Sequence, residues 1–169
     1  MTSSFRIGGL TALLLTSLTM SPILSDAQVV GDEAELGRLQ SKAEDAIGND
    51  DADGAAMMMG RAALLAAQLG KRETGWKTAF RKSQEALFRS QEHTYRAMAL
   101  FRRAGGQLPA SSGVCGSLAL ARTSLGHVTE SDPPSPQDTR LLDEVKRLRA
   151  SADNWHQVID SMITESQCL

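Results

Sequence analysis

Between positions 141 and 162 the apolar residues Leu141, Val145, Leu148, Ala152, Trp155, Ile159 and Met162 fall in alternating steps of four and three. A helix turns once every 3.6 residues, so this spacing places all of them on one stripe, which only other helices can cover. A strand would scatter the same side chains over both faces. Steps of three and four recur along most of the 169-residue chain, and strand signals are nearly absent. The expected fold is therefore all-α, a single-domain helical bundle of about five helices with a coiled-coil seam. Two of the helices are long, at about residues 73–104 and 136–166.

The remaining helices follow from the same period. The first covers about residues 32–47, with Leu36, Leu39, Ala43 and Ala46 on one side, and "GNDDADG" interrupts it. The second covers about 53–69 with Ala55, Met58 or Met59, Ala62, Leu65 or Ala66, and Leu69, and Gly70 is expected to cap it. The long third helix carries Trp76, Phe80, Leu87, Tyr95, Met98 and Phe101, and stops at Gly105 and Gly106. Ser83, Ser90 and Thr94 share its apolar side, which favours close helix approach over apolar area. The fourth, at about 112–125, aligns Val114, Leu118, Ala121 and Leu125; the fifth starts with Ser135 as N-cap and Pro136 in the first turn.

The amino-terminal end reads as an export signal. Arg6 and the amino terminus precede an apolar run of about 14 residues, "IGGLTALLLTSLTM", and Ser25 and Ala27 are the small residues that a signal peptidase accepts. Residues 1–27 are expected to be cleaved, leaving a helical domain at 28–169. The run is shorter than the roughly 20 residues that span a bilayer, so the mature chain is expected to be periplasmic or secreted and not membrane-spanning.

Charge is segregated along the chain. Residues 28–54 hold eight acidic and two basic side chains, residues 61–105 ten basic and three acidic, and residues 106–169 eight acidic and five basic. A basic middle between acidic flanks is expected to pair with them on folding. Within the middle, Lys77, Arg81, Glu85, Arg89, Glu92 and Arg96 form a helical stripe of alternating sign, expected as a solvated face. Lys77, Arg81, Arg89, Arg96, Arg102 and Arg103 are the candidate interaction surface. Acidic side chains interrupt these cations too often for nucleic acid, so none is expected as a partner.

Export makes a bond between Cys115 and Cys168, the only two cysteines, chemically favourable. A tight hairpin of the last two helices forbids it. At 1.5 Å per residue, Cys115 lies about 16 Å from the connecting loop and Cys168 about 48 Å, whereas a disulfide tolerates a Cα separation of about 7 Å. If instead residues 127–135 run extended for nearly 30 Å, the fifth helix can climb the length of the third and return Cys168 to Cys115. An intramolecular Cys115–Cys168 bond is expected.

No side chains assemble into a nucleophile, a base and its orienter: His93, His127 and His156 are scattered. No enzyme activity and no cofactor are expected. "NDDADG" resembles the first half of an EF-hand calcium loop, but Gly60 stands where the closing carboxylate belongs, so Asp is expected to cap the next helix. Met57, Met58 and Met59 fan about 100° apart, so one or two fill the core and one stays outside. His156 beside Trp155 on the last helix resembles the histidine of periplasmic four-helix b-type cytochromes, which pair it with a methionine; Met57 or Met58 would fill that role here. Leu39 and Ala43 with Ala55, Met59 and Ala62, then Ala97, Phe101, Ala104 and Pro109, then Cys115, Leu118, Ala119 and Gly126, resemble the helical hairpins of tetratricopeptide repeats. The glycine that the repeat pattern places between paired helices is replaced by Asp50 in one unit and by Glu92 in another, a departure from the family.

The leading functional expectation is an exported helical protein that acts by protein–protein interaction, as an adaptor, chaperone or accessory subunit of a cell-envelope assembly, a role compatible with homo-oligomers. A haem or metal carrier using His156 and a methionine is the alternative, and the repeat resemblance implies a peptide-binding adaptor.

Overall fold

The computed structural model describes residues 23–128 and 139–168. Five helices run alternately up and down: α1 (Ile23–Gly48), α2 (Ala52–Arg72), α3 (Trp76–Arg103), α4 (Ser112–Gly126) and α5 (Thr139–Glu165). All regular structure among the described residues is helical, as the periodicity requires. Most of the expected leader lies outside these residues; α1 begins at Ile23 and runs through the expected cut after Ala27. Ser135 and Pro136 also lie outside them.

The helix boundaries have local causes. Asp50 takes the left-handed conformation, φ 64°, between α1 and α2, and Asp51 caps α2 by accepting from the Gly54 amide at 2.8 Å. Helix α3 starts three residues later than its period suggests, because Gly75 turns the chain at φ 64°. The Thr78 hydroxyl then donates to the Glu73 carbonyl at 2.7 Å. At the other end Gly105 and Gly106, at φ 70° and 68°, close the helix, with the Gly106 amide donating to the Phe101 carbonyl. Ser111 caps α4.

Gly70 has a different role from the expected cap. Helix α2 continues past it to Arg72, and Gly70 is buried where α2 crosses α3. A Cβ placed there would lie 3.2 Å from the Arg81 Cβ, so glycine sets how closely the two backbones pack.

Burial follows the apolar stripes. Leu36, Leu39 and Ala43 of α1, Ala55, Met59, Ala62, Ala66 and Leu69 of α2, and Phe88 and Tyr95 of α3 build one core cluster. Met58 packs at its edge and Met57 is exposed, so the three methionines divide as their fan demands. Val114, Leu118, Ala121 and Leu125 of α4 are all completely buried. They meet α5 through Ala152, Ile159, Met162 and Ile163 in two further clusters. Trp155 touches two clusters and packs edge-on to Tyr95 at 5.5 Å, tying α5 to the front of the bundle. Ser83, Ser90 and Thr94 are fully buried. Ser83 and Thr94 turn their hydroxyls back to the carbonyls of Ala79 and Ser90, as small polar residues do inside helices.

The charge segregation resolves into ion pairs between helices. Asp32 meets Arg72, Glu33 meets Arg81, Asp50 meets Arg102 and Asp53 meets Arg103, so the acidic amino-terminal segment clasps the basic middle at both ends. Arg122 and Asp160 join α4 to α5. Except at the buried Arg81, these pairs are exposed and contribute at most about 1 kcal/mol each, mainly setting register.

Cys115 and Cys168 are joined, with sulfurs 2.02 Å and Cα atoms 5.3 Å apart. Helix α5 runs parallel to α3, since Leu148 lies with Gln84 and Leu87 at one end and Met162 with Met98 and Phe101 at the other. The two helices, 27 and 28 residues long, match as the bond requires. No described helix is long and apolar enough to cross a membrane.

Candidate functional site

Helix α3 is the centre of the bundle, packing against α2, α4 and α5, and 12 of its 28 residues are buried. Two sides of it are lined by grooves. One lies between α1 and α5, with α3 as its floor. Leu36, Phe80, Leu87 and Leu148 supply its apolar surface, Gln40 and Gln84 its amides, and Glu33, Arg81, Glu144 and Arg147 its charges. Its volume is about 590 Å³. Gly37 opens the α1 wall, where a Cβ would meet nothing within 4 Å.

Arg81 anchors this groove. It stands on the expected solvated stripe, yet it is only 7 % exposed. Its Nε and Nη2 donate to the Glu73 carboxylate at 3.2 and 3.3 Å, its Nη1 to the Gln84 amide oxygen at 2.9 Å, and its Nη2 also to Glu33. The guanidinium stacks 5.7 Å from the Phe80 ring centroid. A residue so thoroughly bonded shapes the groove wall and leaves little capacity for a ligand.

On the α2 side of α3, Glu92 is also buried, at 8 % exposure, a second correction to the solvated stripe. It accepts from Arg89 at 2.9 Å and from Arg96 at 2.7 Å. Gly60 of α2 makes room for it: a Cβ there would lie 3.1 Å from the Glu92 carboxyl carbon. Met57, Arg61 and Leu64 border this groove, and Arg89 continues it towards Lys82, Glu85, Ser124 and His127.

The six candidate cations therefore do not form one surface. Arg81 belongs to the α1–α5 groove, Arg89 and Arg96 to the α2 side, and Arg102 and Arg103 to the α1–α2 turn through Asp50 and Asp53. Lys77 is exposed near the start of α3. Their partners lie 48 to 52 residues away in sequence where they cross between helices, which a helical period does not register.

Among the histidines, His156 is half-buried beside Trp155 on α5 and His127 is exposed at the end of α4. No group of three or more His, Cys, Asp or Glu side chains among the described residues is arranged to hold a metal ion. His93 is the perturbed one. Burial holds its imidazole below the usual range, Glu92 pulls the other way, and Arg96 and Arg89 reinforce the burial effect. Its Nδ1 is buried without a hydrogen-bond partner.

A histidine depressed in the folded state takes its proton first in the unfolded chain. Stability is then complete above the unfolded value of 6.5 and is lost as pH falls through it towards the folded value. Urea midpoints measured from pH 7.5 to 5 should fall, and His93→Gln should flatten that decline. An equal slope in the variant would assign the pH dependence elsewhere.

Comparison with protein families, curated proteins and solved structures found no match to this chain.

Proposed function

We propose that this protein is an exported interaction module, an adaptor, chaperone or accessory subunit of an envelope assembly, that receives a segment of a partner polypeptide in the groove between α1 and α5. The observation that carries this reading is the groove's composition. Four apolar side chains, two amides and charges of both signs line about 590 Å³, walled by α1 and α5 and floored by α3. A polypeptide offers apolar side chains together with backbone donors and acceptors, and a mixed surface answers both. Nothing in the groove resembles a nucleophile with its base, which favours binding over chemistry.

The alternation of up and down helices supports the tetratricopeptide-like reading at the level of helix order. The unbroken passage of α3 through Glu92, where one unit needs a turn, departs from it. Export rests on the charged start, apolar run and small residues of positions 1–27.

A photo-crosslinking amino acid placed at Gln40 or Gln84 in the groove should give a discrete protein adduct in the exported fraction. The same group at Gln68, exposed on α2, should give none. Equal adducts from Gln68, or none from the groove positions, would overturn the site. Retention of the full-length chain in the cytoplasm would overturn export.

A further inference from the structure

A separate cavity of about 360 Å³ opens at the end of the bundle where α3, α4 and α5 meet. Met98 and Phe101 of α3, Leu108 of the α3–α4 connection, Val114 of α4 and Met162 of α5 line it. The volume falls in the range of about 300–1,000 Å³ typical of small-molecule sites. Val114 is completely buried at its base, whereas Leu108 is 51 % exposed at its rim. The walls are tied together by the Cys115–Cys168 bond and by the Ala110 amide, which donates to the Ser166 carbonyl at 3.0 Å. Two of the five apolar side chains are methionines, whose unbranched thioethers adapt to differently shaped guests.

The charges beside the cavity decide the class of guest. Arg102 reaches it but donates to the Asp50 carbonyl at 2.6 Å and pairs with the Asp50 carboxylate. Glu165 reaches it and accepts from the Ser161 hydroxyl at 2.8 Å. One positive and one negative group, each engaged elsewhere, favour neither an anion nor a cation. We infer that this cavity binds a small, uncharged, apolar molecule, independently of any polypeptide in the α1–α5 groove.

The test uses two dyes with the same kind of fused ring system, neutral N-phenyl-1-naphthylamine and its sulfonated relative 8-anilinonaphthalene-1-sulfonate, with the oxidised mature protein. The neutral dye should bind saturably at one site per chain, at least tenfold more tightly than the sulfonate. In methyl NMR spectra it should shift Met98 and Met162 while leaving the exposed Met57 in place. Leu108→Asp, a change at an exposed rim position, should weaken the neutral dye at least tenfold with the helical circular dichroism unchanged. Absence of saturable binding, equal affinity for both dyes, undisturbed Met98 and Met162 signals, or full affinity in a folded Leu108→Asp would each overturn the inference.

Discussion

Cys168→Ser should lower the unfolding free energy by about 4 kcal/mol. The bond joins positions 53 apart, and closing a loop of that length removes roughly this much free energy from the denatured ensemble in the chain-entropy model. The loss has a definite place. The last turn of α5 is held to the start of α4 by the bond and by the Ala110–Ser166 hydrogen bond, so without the bond the end of α5 should fray first. Thermal melts should show a midpoint lower by about 10 °C or more for a domain of this size. Reductant should bring the wild type down to the variant and leave the variant unmoved. A loss below about 1 kcal/mol would mean that α5 is held by packing alone.

Arg81→Met should cost about 3–5 kcal/mol, the range found when one partner of a buried ion pair is removed. The cost comes from what stays behind. Glu73 has a side chain only 11 % exposed and would keep a charge with no cation beside it, whereas Glu33, at 52 %, would rehydrate. The two carboxylates can therefore be told apart by second substitutions. Adding Glu73→Leu should recover most of the lost stability, and adding Glu33→Gln should recover little. Urea unfolding of the four proteins measures this directly. Absence of rescue by either would place the penalty in the lost packing of the Arg81 side chain against Phe80 and Gly70 and not in the stranded charge.

Much of the architecture was legible in the amino-acid pattern. The α4 stripe of Val114, Leu118, Ala121 and Leu125 is fully buried because four apolar residues at heptad spacing leave a short helix only one face to hide. The disulfide followed from helix lengths and the reach of the connection, since covalent geometry admits few paths between Cys115 and Cys168. Charge segregation forecast the clasp of Asp32, Glu33, Asp50 and Asp53 on the basic middle, because opposite charges in a compact chain are driven together.

The misreadings share one cause. Gly70 looked like a terminator and Arg81 and Glu92 like solvated residues, because glycine ends helices and charges face water in most settings. Here Gly60 and Gly70 remove side chains where α2 lies on α3, and the space admits a buried carboxylate at Glu92 and the root of a buried guanidinium at Arg81. No residue of α3 carries a mark of what its neighbour across the interface lacks.

The same division separates the bundle from its sites. By itself the sequence determined the helical class, the apolar stripes, the pairing of the cysteines and the sign of each segment's charge, all of which depend on spacing along one chain. Only the tertiary structure decided that Arg81 and Glu92 are buried, that the cations divide between separate grooves, and that Met98, Leu108 and Met162 meet around one cavity. Those features arise where helices distant in sequence share a boundary, and the shape of a boundary belongs to both surfaces at once.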